Sequence, residues 1–389
     1  MKLLSVVATL LMLAVLGTDS HAALRSIEKE YTYQASEADS KLSSRIIALE
    51  QVKRLILEEI GTFILSETEV KNSQLTKDQI VTYTAGVVAT VIVDERWDGR
   101  NYFVKARLSV DPQDVAKSVE ILRRDKEKNS ELELLRAEKT AALQEIEQLR
   151  LEMQKVKLST PATNRSFLKA INKIEAADWI EKAANLRNDE KWAEAAGYYS
   201  RAIEVAPGIA RFYASRGWMY YKLKKYPEAL RDFDRTIELD PQYPYGYHNK
   251  GYVYVDYGDW KTALGLFKKS VDVSPGFARG YNGIGYASFR MGNQKDAKKA
   301  LDRAIELDPN FSRSFINRGN YFLQRKEYLK ALEDVNRGIE LEATFGRGYF
   351  LRAKIYEAVG EKEKAKEDYR EAARLGDGKA LKAVKKLGD

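Results

Sequence analysis

The sequence predicts a mainly α-helical protein: an α-α solenoid of six repeats with a capping helix, preceded by a coiled-coil helix and a small α+β domain. Three observations carry this. A 34-residue period runs from Ala176 to Asp377, an a/d seam spans Leu132 to Val156, and two-residue alternation flanks Trp97-Asp98-Gly99-Arg100. The implied boundaries are a signal peptide at 1–22, the α+β domain at 23–112, the coiled coil at 113–158, a linker and helix lead-in at 159–175, the repeats at 176–377 and the cap at 378–389.

Composition supports folded domains. Of 389 residues, 44% are hydrophobic, enough for a substantial core, and 31% are charged. There is no cysteine, which excludes a disulfide framework, thiol catalysis, thiolate metal sites and a lipid-modified N-terminal Cys. At the amino terminus Lys2 precedes the apolar run Leu3 to Gly17, and Ser20-His21-Ala22 offers small residues at both positions before a cut. Cleavage after Ala22 and export are expected, with the periplasm of a Gram-negative bacterium as destination. The alternative is an uncleaved anchor, for which the run is short.

In the first domain, Leu42, Ile46, Leu49, Val52, Ile56, Ile60 and Phe63 recur at three- and four-residue steps, predicting a helix with one buried stripe. Ser36 with Asp39 is the candidate cap. Val87, Ala89, Val91 and Val93, then Tyr102, Val104, Ala106, Leu108 and Val110, alternate on either side of an Asp-Gly pair, which predicts a β-hairpin. Glu30 to Gln34 is a candidate third strand.

From Asp114 to Leu158 the chain is charge-rich without Gly or Pro, and Leu132, Leu135, Lys139, Ala142, Ile146, Leu149, Met153 and Val156 alternate steps of three and four. That seam predicts self-association as a coiled coil. The alternatives are a helix packed on its own chain or an exposed spacer. Ser159-Thr160-Pro161-Ala162-Thr163-Asn164 reads as the break that follows it.

The repeats fall into register without insertion. Pro207, Pro241, Pro275 and Pro309 are one 34-residue block apart, and IELDP recurs at Ile237 to Pro241 and Ile305 to Pro309. Small residues stand at Ala195, Ala229, Ala263, Ala297, Ala331 and Ala365, and again at Ala183, Gly217, Gly251, Gly285, Gly319 and Ala353. Large apolar columns run through Trp179, Tyr213, Tyr247, Tyr281, Phe315 and Tyr349, and through Tyr199, Phe233, Phe267, Leu301, Val335 and Tyr369. Small residues let helix backbones approach, large ones fill the gaps, and Pro stops each second helix. The pattern resembles the tetratricopeptide repeat family over residues 176–377. It departs at Lys182, Arg216, Lys250, Arg318 and Arg352, where the family pattern has Leu, and at Ala343 and Asp377, where it has Pro. Leu381, Val384 and Leu387 are expected to close the last repeat.

Catalytic chemistry is scarce. The histidines are His21 and His248, the latter inside a repeat with no nucleophile-elbow motif around it, and neither a D-x-D-x-D-G loop nor a Gly-rich phosphate loop occurs. A non-enzymatic protein without cofactor or metal is expected. The resemblance implies a concave groove lined by the first helix of each repeat, with block positions 2, 5, 9 and 12 facing in. Carried onto this chain, it brings Arg211, Arg279, Arg313 and Arg347 to one face, with Trp218, Tyr221, Tyr252, Tyr286 and Phe289 beside them and Asn249, Asn282, Asn317 and Asn320 as amide donors and acceptors.

Such a groove suits a partner protein or peptide, acidic or with a free C-terminal carboxylate, since guanidiniums grip carboxylates bidentately. The competing reading has these arginines in ordinary surface ion pairs. An exported interaction scaffold in envelope assembly or maintenance is therefore expected, homo-oligomeric through the coiled coil; the alternative is a small-ligand or envelope-polymer sensor acting through the α+β domain. Net charge is +8, dispersed among acids without the one-sided stripe of a nucleic-acid binder.

Overall fold

Strand β1 (Arg25–Gln34) pairs antiparallel with β3 (Asn101–Val110), and β3 with β2 (Val91–Trp97), giving the order β1-β3-β2. The computed structural model describes residues 25–35, 39–66, 90–111, 137–149 and 161–386, with isolated positions 84, 115 and 134. The signal segment, Val87 and Ala89 lie outside the described residues. The chain divides into two units, Met1–Pro207 and Gly208–Asp389.

In the first unit the hairpin closes at Asp98, whose carboxylate accepts the N–H groups of Arg100 (2.8 Å) and Asn101 (2.6 Å), with Gly99 at φ 96°. Period two then decides which face packs: Tyr102, Val104, Ala106 and Leu108 are buried, opposite Tyr33, Tyr31, Lys29 and Ile27 of β1. Helix α1 (Lys41–Ser66) covers that face with Ile46, Leu49, Val52, Ile56 and Ile60. Leu42 is exposed instead. Ser40 caps α1: its Oγ accepts from Ser43 N (3.1 Å) and its N donates to Ser43 Oγ (2.8 Å), while Ser36 lies outside the described residues.

The expected coiled-coil seam is used differently. In the helical segment 137–149, Ala142 and Ile146 are buried in the same core as α1 and β3, with Leu149 packed against it. These seam positions are thus spent within the chain; Leu132, Leu135, Met153 and Val156 lie outside the described residues. The expected break is also displaced. Helix α2 (Pro161–Asn188) begins at Pro161, because proline's fixed φ and missing N–H are tolerated in a first helical turn, and Phe167, Ala170, Ile171 and Ile174 carry it through that core. It pairs with α3 (Trp192–Val205).

Lys139, on the same seam, is neutralised by Glu50 of α1 (2.9 Å) and by Asp178 (2.7 Å) and Glu181 (3.4 Å) of α2. Lys53 adds a second cation, 3.1 Å from Glu50 and 2.9 Å from Asp178.

The second unit is a run of helix pairs. They are α4 (Ala210–Lys222) with α5 (Tyr226–Leu239), α6 (Pro244–Tyr257) with α7 (Trp260–Val273), α8 (Ala278–Arg290) with α9 (Gln294–Leu307), α10 (Ser312–Gln324) with α11 (Tyr328–Leu341), and α12 (Gly346–Val359) with α13 (Lys362–Arg374). Helix α14 (Gly378–Lys386) closes the run. Partners approach closely: a Cβ on Gly251 would stand 2.7 Å from Phe267, and one on Gly319 2.6 Å from Val335. IELDP ends a second helix; Asp240 and Asp308 accept the N–H groups of Gln242 (2.9 Å) and Asn310 (3.1 Å) past the proline. The cap packs through Ala380, Ala383 and Val384. Leu381 is exposed, and Leu387 lies outside the described residues.

Each turn within a pair contains one residue of positive φ, and these fall in a single column: Glu190, Lys224, Gly258, Gly292, Lys326 and Gly360. The left-handed residue ends the first helix of the pair and lets the chain reverse.

Candidate functional site

Two sets of arginines stand on the inner helices, and their surroundings differ. Arg216, Arg318 and Arg352 replace the family's leucine, and each forks onto an aspartate sixteen residues on. Arg216 contacts Asp232 at 2.8 and 2.7 Å, Arg318 contacts Asp334 at 2.8 Å through both nitrogens, and Arg352 contacts Asp368 at 2.7 and 2.8 Å. The aspartates are buried, and bidentate hydrogen bonding to them raises all three guanidinium pKa values. These arginines hold one helix of a pair to the other and have no charge to spare.

The second set lies over aromatic rings. The Arg279 guanidinium lies 4.8 Å over Phe311 and that of Arg313 5.3 Å over Phe345, each ring belonging to the loop that starts the next repeat. Tyr245 meets Phe277 in the same way, edge-on at 4.9 Å. Arg347 lies 5.6 Å over Phe350 and Arg211 5.1 Å over Phe212. Among the described residues Arg313 and Arg347 make no ion pair.

His248 sits under this row, its ring 5.0 Å from Tyr252, 5.2 Å from Phe277 and 5.7 Å from Phe267. Its pKa falls to about 3, chiefly because burial strips water from the cation, with repulsion from Arg279 and Arg313 adding to it. The ring is therefore neutral at physiological pH. Nδ1 lies 3.1 Å from Asn249 Oδ1, and the buried Nε2 has no hydrogen-bond partner. Arg279 and Arg313 also bear on Tyr252, so block positions 2, 5 and 9 of successive repeats converge on one patch.

The other expected residues divide. Trp218 stacks on Tyr221 (4.8 Å) and meets Tyr252 edge-on (6.2 Å), a continuous aromatic surface over two repeats. Burial and the nearby Asp256 carboxylate push the Tyr221 phenol up. Tyr286 leaves this surface to pack on Trp260 (5.8 Å), and Phe289 packs against Tyr321 (6.5 Å). Asn249 and Asn282 are buried, and their side-chain oxygens face His248 and Asn317 Nδ2 (2.8 Å). Asn320 is partly exposed on α10. The aromatic column under the arginines, Tyr243, Phe277, Phe311 and Phe345, was readable from the same 34-residue period but has no counterpart in the family pattern.

Family models for tetratricopeptide repeats match residues 210–243, 278–311 and 346–375. The helical array is built of tetratricopeptide repeats. Solved structures with the same repeat include a tetratricopeptide repeat protein from Parabacteroides merdae, 21% identical over 64% of this chain and 92% of that one with TM-score 0.44. Another is PilW, described as a widely conserved type IV pilus biogenesis factor, 17% identical over 54% of this chain and 97% of that one with TM-score 0.44. YrrB, described as a TPR protein with an unusual peptide-binding site, is 23% identical over 48% of this chain and 97% of that one with TM-score 0.33. No curated protein matches the chain. Among the described residues no helix of the tetratricopeptide protein is long and apolar enough to cross a membrane.

Proposed function

We propose that this chain is an exported, non-enzymatic interaction scaffold whose tetratricopeptide groove holds an acidic segment or the carboxyl terminus of a partner protein, in assembly or maintenance of the cell envelope. Export rests on the amino-terminal apolar run, and a periplasmic setting follows from it. The observation that carries the binding reading is the contrast between the arginine columns. Arg216, Arg318 and Arg352 are neutralised by buried aspartates, whereas Arg313 and Arg347 make no ion pair among the described residues and lie over aromatic rings. A stacked guanidinium still offers its in-plane N–H fork to a carboxylate, and stacking lowers the entropy lost when the contact forms. Trp218, Tyr221 and Tyr252 then supply flat contact for apolar side chains of the same ligand.

The test is fluorescence anisotropy with a library of acidic peptides bearing free carboxyl termini. The double variant Arg313→Glu, Arg347→Glu should bind selected peptides on the order of a hundredfold more weakly, the loss of two charge-assisted contacts, with unchanged helical circular dichroism. Equal affinity of variant and parent overturns the groove reading.

A further inference from the structure

The second unit carries 35 Lys and Arg against 25 Asp and Glu. Much of that surplus collects along the edge formed by the turns within the helix pairs, away from the arginine row at the start of the inner helices. Lys224, Lys225, Lys295, Lys299 and Lys326 are exposed there or in the following helix, and among the described residues none makes an ion pair. Of the acids near this edge, Glu327 bridges Arg325 and Lys330 (2.7 Å each), Asp259 caps α7 through Thr262 N, and Asp256 accepts from Tyr226 (3.0 Å), while Asp296 and Glu228 stand among the lysines. Lys224 and Lys326 hold positive φ, at 58° and 60°, where Gly258, Gly292 and Gly360 serve in the other turns. A lysine there costs conformational energy that glycine would avoid.

The same edge exposes apolar side chains with the period of the repeat. Of the five large ones exposed among the described residues of this unit, Tyr257, Met291 and Val359 share one column and Leu329 stands in the first turn of α11. Leu329 is 84% exposed and occupies the position one block on from Lys295. Between α9 and the α10–α11 turn lies an open groove of about 800 Å³, lined by Lys295, Lys298, Lys299, Arg325 and Lys330 over the rings of Tyr321 and Phe322. Asp302 and Glu327 are its acids, leaving three positive charges in excess.

We infer that this edge docks on an anionic lipid bilayer. Lysines at the turn tips meet lipid phosphates, the groove on α9 has room and charge for a headgroup, and Leu329, Met291, Val359 and Tyr257 enter the headgroup boundary. Cations alone would suit any polyanion. Their interleaving with protruding aliphatic and tyrosine side chains matches an interface that is anionic above and apolar below. The groove's arginine row stands at the opposite end of the inner helices, so a docked molecule can still hold its partner.

The test is co-sedimentation of the chain from residue 23 onward, which keeps every described residue and omits the apolar leader, with phosphatidylcholine vesicles and with mixed phosphatidylcholine–phosphatidylglycerol vesicles. The parent should partition onto the mixed vesicles alone and come off as salt is raised. Lys295→Glu with Lys326→Glu should lower partitioning by on the order of tenfold or more, at about fivefold per surface cation. Leu329→Ser should lower it by about fivefold through lost apolar burial. All these positions are exposed, and unchanged thermal unfolding confirms the fold. No sedimentation with anionic vesicles overturns the inference, as does equal sedimentation with neutral ones. Loss in the lysine variant with full binding by Leu329→Ser also overturns it, pointing to an acidic macromolecule in solution.

Discussion

Replacing Lys139 by Met isolates the charge cluster that joins α1, the 137–149 segment and α2. Lys139 lies within 3.4 Å of three carboxylates, and its side chain is 13% exposed and that of Glu50 9%. Removing one partner of a buried pair costs about 3–5 kcal/mol because the remaining charges stay desolvated. Asp178 and Glu181 are partly wetted, so the lower end applies, about 3 kcal/mol at pH 7. The pH dependence is diagnostic. Burial, then repulsion from Asp178, raises the Glu50 pKa; burial would raise Asp178 as well, but Lys139 and Lys53 hold it low.

A raised carboxylate stabilises the fold at acid pH, and that contribution is lost as pH climbs through the folded value; a lowered one acts oppositely, and its contribution is lost as pH falls. Without Lys139 the Glu50 pKa rises further, so the variant's deficit is largest at neutral pH. It shrinks toward acid pH, as Glu50 takes a proton. Hydrogen exchange read by mass spectrometry on peptides from α1 and 137–149, with peptides from α8 and α10 as internal control, measures this unit alone. Adding Glu50→Gln should restore about half the loss. A deficit under about 0.5 kcal/mol, or one constant from pH 5 to 8, would refute the reasoning.

Two further outcomes follow from the second unit. The His248 pKa of about 3 lies below the ordinary 6.5. The unfolded chain therefore takes a proton that the folded one refuses: stability is full above pH 6.5 and falls by about 1.4 kcal/mol per unit as pH drops toward 3. Arg279 and Arg313, which face the ring, reinforce the refusal. Urea titrations at pH 7.5 and 5 should show a loss of about 2 kcal/mol in the parent that His248→Phe lacks, and an equal loss in both contradicts the assignment. At the paired column, Asp334→Ala strands Arg318 with Asp302 alone and should cost about 2 kcal/mol. Adding Arg318→Ile recreates Ile284 and Ala300, which fill those positions one block earlier. The double variant should return to within about 1 kcal/mol of the parent, whereas additive losses would show that the pair is not interchangeable with apolar packing.

The repeat was legible because packing geometry writes itself at a fixed period: Ala229, Gly251 and Phe267 are buried where the columns placed them. Strand β3 and the α1 stripe were legible for the same reason, whereas in β2 Val91 and Val93, expected on the packed face, are exposed and the ladder shifts register between Ile92 and Asp94. The destination of the heptad stripe was not, since apolar periodicity says that a face must be covered and not by what. Lys139 was the clue. A lysine in a dimer seam would be buried against its own copy, whereas here α1 and α2 supply three carboxylates, and those residues are remote in sequence. Nor did the sequence separate the two arginine columns. Both stand on the first helices of their repeats, and the distance to Asp232, Asp334 and Asp368 marks out the struts.

That distinction also predicts how salt acts on the molecule. The Arg216, Arg318 and Arg352 pairs are sheltered beside buried aspartates, so screening reaches them little and the helix pairs they join should hold at high ionic strength. Arg313 keeps its orientation too, because contact with the Phe345 ring depends less on long-range charge than a surface ion pair does. What salt removes is the attraction between these fixed guanidiniums, or the lysines of the turn edge, and an incoming anion. If the proposed groove and edge bind anions, salt should therefore weaken binding before it unfolds the molecule, as anisotropy and circular dichroism across a salt series would show.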